Sequence, residues 1–281
     1  MLFFQNRQNI YFCIAAPRAY YILLYIYMLT TTEAFVLRSV RYDDHMLIVD
    51  MLCRSCGRTS FLVRLSSSKR GAMQRQMFQP LTLLEVVADL RQGKALQKLR
   101  TARMLTPYAD IPFQPAKTAT AFFLAEFLLY ATHDDSGQSD GMFAFLRHSM
   151  HWYDAAREGY ANFHLVFIIH MMRFLGFYPE PETYAEGCFF DLREGIMCRV
   201  PPSHDDFLSA ADTLHLVNML RLNYASMSRF GMSQEQRNRA ISLLLRYCRL
   251  HIPAFPEMKT LPVLRDLFSG NAHPQVESQG Q

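Results

Sequence analysis

Hydrophobic and polar positions change their period about a third of the way along this 281-residue chain. Residues 33–38, 45–53 and 59–65 are short runs rich in Val, Leu, Ile and Phe, separated by Tyr42-Asp43-Asp44 and by Arg54-Ser55-Cys56-Gly57. Asp, Ser and Gly tolerate the tight backbone of a reversal, so both separators predict hairpin turns. In the third run Thr59, Phe61, Val63 and Leu65 alternate with Arg58, Ser60, Leu62 and Arg64. Successive strand side chains point to opposite faces, so this is a half-buried strand with two arginines outward. Two more runs, 78–87 and the more mixed 95–104, complete a set of five. Five strands so spaced predict a small closed barrel of the OB type.

From residue 116 the pattern is helical. Residues 116–130 are almost continuously apolar around an isolated Glu126, and 141–156 follow the turn sequence Asp134-Asp135-Ser136-Gly137. The apolar run 160–175 stops at Gly176 with Pro179 beyond, a C-terminal stop signal. Ser203 with Asp206 predicts a capping box opening a helix over 206–224. Ser233 with Gln236 predicts another, opening a helix that runs to about His251 and ends before Pro253 and Pro256. Pro107, Pro112 and Pro115 cluster where the period changes. The expected class is therefore α+β: a five-stranded OB-fold barrel over 28–105, then an all-helical domain over 106–270 and a polar, disordered tail over 271–281.

Residues 10–28 are apolar and aromatic but carry Arg18 in their middle. A spanning helix wants about 20 apolar residues without a central charge, and a secretory leader wants a clean apolar core and a small-residue cleavage site. Residues 1–27 read instead as a non-native or upstream-start extension, with a membrane-surface segment or an anchor as the other readings. No membrane partner is expected.

Composition adds little until charge is located. Half the residues are hydrophobic and 19% are charged, which is globular. The net charge of +4 is uneven: residues 28–105 hold thirteen Lys and Arg against six Asp and Glu, whereas 106–281 hold fourteen against nineteen. A basic barrel before an acidic helical part points a polyanion at the barrel. Six cysteines in a chain this long do not make a disulfide scaffold, and a reduced cytoplasm is the expected compartment.

The sequence contains no phosphate-binding glycine loop, dinucleotide fingerprint, zinc-protease helix motif or serine-hydrolase elbow, which argues against those chemistries. Cys53-x-x-Cys56 straddles a hairpin turn, and a structural zinc needs a second pair of ligands, so two reduced cysteines are the favoured reading. His164 and His170, six apart on a helix, sit about 120° apart and do not share a face. Glu126 reads as a structural or helix-end hydrogen-bond partner, and Phe122-Phe123 and Met171-Met172 as core.

The basic residues Arg38, Arg41, Arg58, Arg64, Lys69, Arg70 and Arg75 fall in the first three strands and the loop after them. Lys and Arg on a barrel surface neutralise phosphates and release counterions, giving salt-sensitive, sequence-independent binding. Tyr42 and Phe78 are the nearby aromatics available for base stacking, with core packing as the alternative for both.

At these residues a resemblance appears. Thr32-Glu33-Ala34-Phe35-Val36-Leu37-Arg38, Tyr42-Asp43-Asp44, Ile48-Val49, Gly57 and Phe78-Gln79-Pro80-Leu81 with Glu85 are similar to the opening of the bacterial RecO family. So are Gly176-Phe177-Tyr178-Pro179 after its helix, and Tyr247, His251, Lys259 and Leu261 before Val263-Leu264-Arg265-Asp266-Leu267-Phe268. The resemblance spans residues 28–268 and rests on order and spacing.

It implies a non-enzymatic recombination mediator of DNA repair that is cytoplasmic and nucleoid-associated. Such a protein binds single- and double-stranded DNA, anneals complementary strands, and acts with RecR to load RecA on strands coated by single-strand-binding protein. The acidic, apolar-ended tail of the single-strand-binding protein would need local cations in the helical part, for which Arg173, Arg246 and Arg249 are the candidates. Many members carry four zinc-binding cysteines after the Gly-Pro segment, but here that region holds only Cys188 and Cys198. No metal and no cofactor are expected, and the segment between Pro179 and Pro202 is expected to be a loop held by packing of Phe189 and Phe190. An OB-fold RNA-binding or translation-associated protein is the alternative reading. A nucleic-acid enzyme is a third, disfavoured by the absence of a Lys-x-Asp-Gly motif or a metal-binding carboxylate cluster.

Overall fold

The computed structural model describes residues 28–66, 73–91, 93–132 and 140–268. Lys69 and Arg70, the 1–27 segment, the 134–137 turn and the 271–281 tail fall outside the described residues. Five strands close a barrel in the order β1-β2-β3-β5-β4. They are β1 (Met28–Arg41), β2 (Met46–Cys53), β3 (Gly57–Arg64), β4 (Leu83–Leu90) and β5 (Leu96–Met104). β1 pairs antiparallel with β2 and β4, and a short parallel pairing of β3 with β5 completes the closure. Closure removes the unpaired strand edges that an open sheet would expose. The run 78–87 is not one strand: Arg75–Phe78 form a single 3-10 turn, and β4 begins only after Leu81, which sits at a φ of 61°.

β1 explains how the barrel meets the rest of the molecule. Ala34 and Val36 face the barrel core with Val49, Met51, Phe61 and Val63. Phe35 and Leu37, on the opposite face, join Leu52, Leu81 and Leu83 in a second core shared with the helices. The unbroken run Ala34-Phe35-Val36-Leu37 is thus buried on both faces, as continuous apolar strands usually are. The register shifts between Val36 and Arg38, leaving Leu37 without a β2 partner. This bulge turns Arg38, instead of Ser39, to the outer face, where it pairs across the sheet with Asp50.

Among the described residues, six helices form the second part: α1 (Pro115–Ala131), α2 (Asp140–Ala155), α3 (Phe163–Leu175), α4 (Ala210–Leu220), α5 (Gln234–His251) and α6 (Leu261–Phe268). α3 ends at Gly176 in the left-handed conformation, and the Ser233–Gln236 capping box is complete in both directions. Two expectations need correcting. The cap after residue 203 is Ser209, which accepts from the Asp212 N–H and starts α4 four residues later than the sequence suggested; Phe207–Leu208 before it is a strand. The segment expected as a loop supplies two strands of a three-stranded sheet in the order β7-β6-β8: it carries β6 (Phe189–Asp191) and β7 (Ile196–Cys198), and β8 (Phe207–Leu208) follows it. Phe190 is buried against Tyr247 while Phe189 meets Phe207, so the helical part is not purely helical.

A polar knot ties the connection between the two parts. Lys117 is wholly buried, yet its ammonium is bound by Asp110 Oδ2 at 2.5 Å and by the carbonyls of Asp154 (3.0 Å) and Ala156 (2.6 Å), beneath the rings of Tyr153 and Tyr160. The Asp154 carboxylate accepts the backbone N–H groups of Ala109, Asp110 and Ile111 at 2.8–2.9 Å. Tyr108 donates to the carbonyl of Leu81 in the barrel at 2.8 Å. Among the described residues no helix is long and apolar enough to cross a membrane.

Removing one member of a buried ion pair strands its partners, so Lys117→Met is expected to cost about 3 kcal/mol, read from urea unfolding midpoints. A second expectation concerns acid. Burial, aided by Arg237, holds the His164 imidazole down to about 3. The unfolded chain binds that proton below about 6.5, so stability is lost as pH falls from there toward 3, by up to about 1.4 kcal/mol per unit. His164→Gln should flatten that acid limb in unfolding midpoints measured between pH 7 and pH 4.

Candidate nucleic-acid interface

Five of the barrel's arginines divide into two sets, those that meet the helices and those that line a groove beside them. Arg58 was expected outward beside Arg64. Instead its Nη1 donates to the carbonyl of Leu129 at 3.1 Å, in the last turn of α1. A cation there meets unsatisfied carbonyls and the negative end of the helix dipole, which is a stable place for it. Arg54, which sequence reasoning passed over, donates to Asp140 at 2.7 Å, at the start of α2, and pairs with Glu33 at 3.3 Å. Arg147 of α2 also pairs with Glu33. Phe35 of β1 and Phe143 of α2 pack against one another at a tilt, with ring centroids 5.1 Å apart. Arg54 and Arg58 therefore fasten the barrel to the helices.

The other set borders a groove of about 540 Å³ between barrel and helices. Arg38, Arg41 and Arg75 line it from the barrel side, with Leu37 and Leu47. The helical side contributes Phe122, Leu129 and Tyr130 of α1, together with Lys259 and Thr260. Arg38 is held by Asp50 at 2.8 Å while staying 54% exposed, so its fork is aimed but still reaches solvent. Arg41 pairs with Asp44 in the β1–β2 turn. Arg75 and Arg64 make no ion pair to other described residues. Arg64 is exposed at the far end of β3, opposite Met46.

Glu126 is the acidic group in this groove, and its charge is already engaged. It accepts from the N–H groups of Lys259 (2.9 Å) and Thr260 (2.8 Å) and from the Thr260 hydroxyl at 2.5 Å. It thus holds the chain just ahead of α6 against α1, the helix-end role expected for it. Of the two stacking candidates, Phe78 is core and Tyr42 is 65% exposed in the β1–β2 turn. Phe122, expected in the core, is 43% exposed in the groove wall, while Phe123 beside it is fully buried. Lys259 and Phe122 lie far from the barrel in sequence, and no local pattern marks them as its neighbours.

The three arginines proposed for an acidic tail each have a neighbour within the helical part. Arg173 stacks on Tyr178, 4.3 Å from the ring centroid. Arg246 is bound by Asp206 at 2.6 Å, a carboxylate that Arg193 shares and that both hold below the usual range. Arg249 lies 3.8 Å from the exposed Glu257. Among the described residues no group of three or more His, Cys, Asp or Glu is placed to hold a metal. Cys188 and Cys198 are free thiols of the small sheet region.

A closed OB-type barrel with a helical domain packed on it, and cations gathered along the groove between, defines the class. The chain belongs to the RecO family. The model of the recombination protein O N-terminal domain matches residues 28–108, and that of the C-terminal domain matches 112–260. The chain is 40% identical over 242 residues to the DNA repair protein RecO of Phocaeicola vulgatus, covering 86% of this chain and all of that protein. It is 38% identical over 242 residues to the Bacteroides fragilis DNA repair protein RecO, again over its full length. With the Flavobacterium psychrophilum protein of the same name it shares 29% over 240 residues, 85% of this chain and 98% of that one. The family is one of DNA repair and recombination.

Proposed function

We propose that this protein is a non-enzymatic recombination mediator that binds single- and double-stranded DNA along the barrel–helix groove and anneals complementary strands. The observation that carries this reading is the convergence of Arg38, Arg41, Arg75 and Lys259 around an apolar wall with Phe122 half exposed. Spaced cations match a phosphate backbone, and an exposed aromatic offers a face to an unpaired base. Arg64, exposed at the end of β3, extends the basic track along the barrel, and Lys69 and Arg70, a few residues further in the sequence, belong to the same proposed DNA-binding set. Alignment of two strands requires charge neutralisation and no bond making, so no catalytic group, metal or cofactor is invoked.

In the same reading the protein works in the cytoplasm with RecR, loading RecA on strands coated by single-strand-binding protein. The acidic tail of that protein is a candidate ligand of Arg173, Arg246 and Arg249. Of the three, Arg249 has the weakest internal pairing and is the first to test.

Arg75→Ala and Lys259→Ala are each expected to weaken single-strand binding and to flatten the log–log salt dependence by about 0.7 per lost phosphate contact. Arg58→Ala should leave that slope unchanged while lowering stability. Fluorescence anisotropy on labelled oligonucleotides at several salt concentrations reads both effects, and the same titration with RNA tests whether DNA is preferred. Absence of ATP-free strand annealing at low salt would overturn the mediator reading.

A further inference from the structure

The β2–β3 turn holds chemistry that nucleic-acid binding leaves unused. Cys53 ends β2, and Cys56 lies across the turn, just before Gly57, the register partner of Cys53. Gly57 adopts a φ of 65°, the left-handed conformation that lets the chain reverse here. Both thiols are free, and the register pair of Cys53 with Gly57 closes the turn that carries them. A turn brings residues three apart to within about 7 Å, close to the Cα separation of about 4.4–6.8 Å that a disulfide spans.

The two thiols are not equivalent. Cys56 is half-buried, and Thr59 Oγ1 donates to its sulfur at 3.6 Å. The bond from Cys53, with those from Thr59 and Ser55, brings the Cys56 thiol down to about 6 against the opposing effect of burial. Cys53 is buried, and its bond to Cys56 together with its burial drives its own thiol well up. One partner is thus a half-buried thiol of thiolate character and the other a buried thiol at the opposite end of the same turn, the arrangement of an attacking and a resolving cysteine.

We propose that Cys53 and Cys56 form a reversible dithiol–disulfide site, oxidised by hydrogen peroxide and restored by a dithiol reductant. The Cys56 thiolate attacks one peroxide oxygen; the O–O bond breaks, leaving a sulfenic acid and a hydroxide that is protonated to water. The Cys53 sulfur then attacks the Cys56 sulfur; the S–S bond forms, and the sulfenic hydroxyl leaves with the Cys53 proton as a second water. The two thiols lose two electrons, and one peroxide gains them. A dithiol reverses the change by two successive exchanges, ending as its own disulfide.

The bridge encloses Arg54 and Ser55. It therefore restrains the turn from which Arg54 reaches Asp140 and Glu33, and from which the Ser55 N–H donates to Thr32 at 3.2 Å. Oxidation state is registered at the seam that joins barrel to helices. Cys188 and Cys248 are buried, and the thiol of Cys198 is raised, so among the described cysteines the reaction is confined to one pair.

The test uses the full chain, reduced, desalted and treated with hydrogen peroxide, then blocked with iodoacetamide and digested with trypsin without reductant. Trypsin cuts after Arg54 and Arg58, between and beyond the two cysteines. The bridge therefore joins peptide 42–54 to peptide 55–58, and a reductant separates them. That linked pair is expected in the native sequence and in Cys188→Ser and Cys198→Ser, and is expected to be lost in Cys53→Ser and Cys56→Ser. In the untreated protein Cys56 should alkylate roughly tenfold or more faster than buried Cys53, following thiolate character and access. Full alkylation of both cysteines after peroxide, or Cys56 sulfinic acid beside an intact Cys53, would overturn the proposal. The readout is mass alone, so its failure leaves the DNA-binding reading standing.

Discussion

Everything else in this molecule hangs from a charge placed where charge is least welcome. Lys117 carries its ammonium into the interior near the start of the first long helix. An isolated ion there would cost many kcal/mol in lost hydration. Asp110, two carbonyls and two aromatic faces replace the water it gave up. Because Asp110 lies in the connection and the carbonyls lie at the end of α2, satisfying the lysine fixes where the connection runs. Asp154 fixes it again through three backbone N–H groups. The proline-rich stretch between barrel and helices is thus held as a rigid joint.

A rigid joint matters because the groove belongs to neither part alone. One wall is barrel, with Arg38, Arg41 and Arg75; the other is α1 with the residues leading into α6. The apolar residues Phe35, Leu37, Leu52, Leu81 and Leu83 make the barrel's covered face continuous with the helical core. Arg54 and Arg58 fasten the rim of that contact. The bulge at Leu37 is the hinge of the design, because it sends Leu37 into the seam and Arg38 outward within one residue.

Short-range rules read much of this from the sequence. Alternation in β3, the αL glycine after α3 and the capping box of α5 depend on neighbours within a few residues, and each is visible in the order of side chains. The double burial of β1 is visible as an unbroken apolar run, although its second partner is not. What escapes is decided across the chain. Arg58 and Arg64 look alike on their strand, and only the helix end at Leu129 separates their roles. Lys259 and Phe122 complete the groove from positions that no period connects to the barrel. The three-stranded sheet around Phe189 and Phe190 is built from strands of two and three residues, too short to leave a pattern. Ser203 with Asp206 and Ser209 with Asp212 offer the same cap spacing, and local sequence does not choose between them.

The clasp of Glu126 on Lys259 and Thr260 has a consequence for the order of synthesis. The barrel's contribution to the groove has been made by residue 80, but the opposite wall is finished only when residue 260 is in place. At translation rates of about 5–20 residues per second, a nascent chain carries a completed barrel for something on the order of ten seconds before that clasp can close. During that interval the groove has the α1 side of its wall but lacks Lys259 and Thr260. Completion of the groove is therefore a late event in the birth of each molecule, and a chain stopped short of residue 259 would carry the barrel's charge without that clasp.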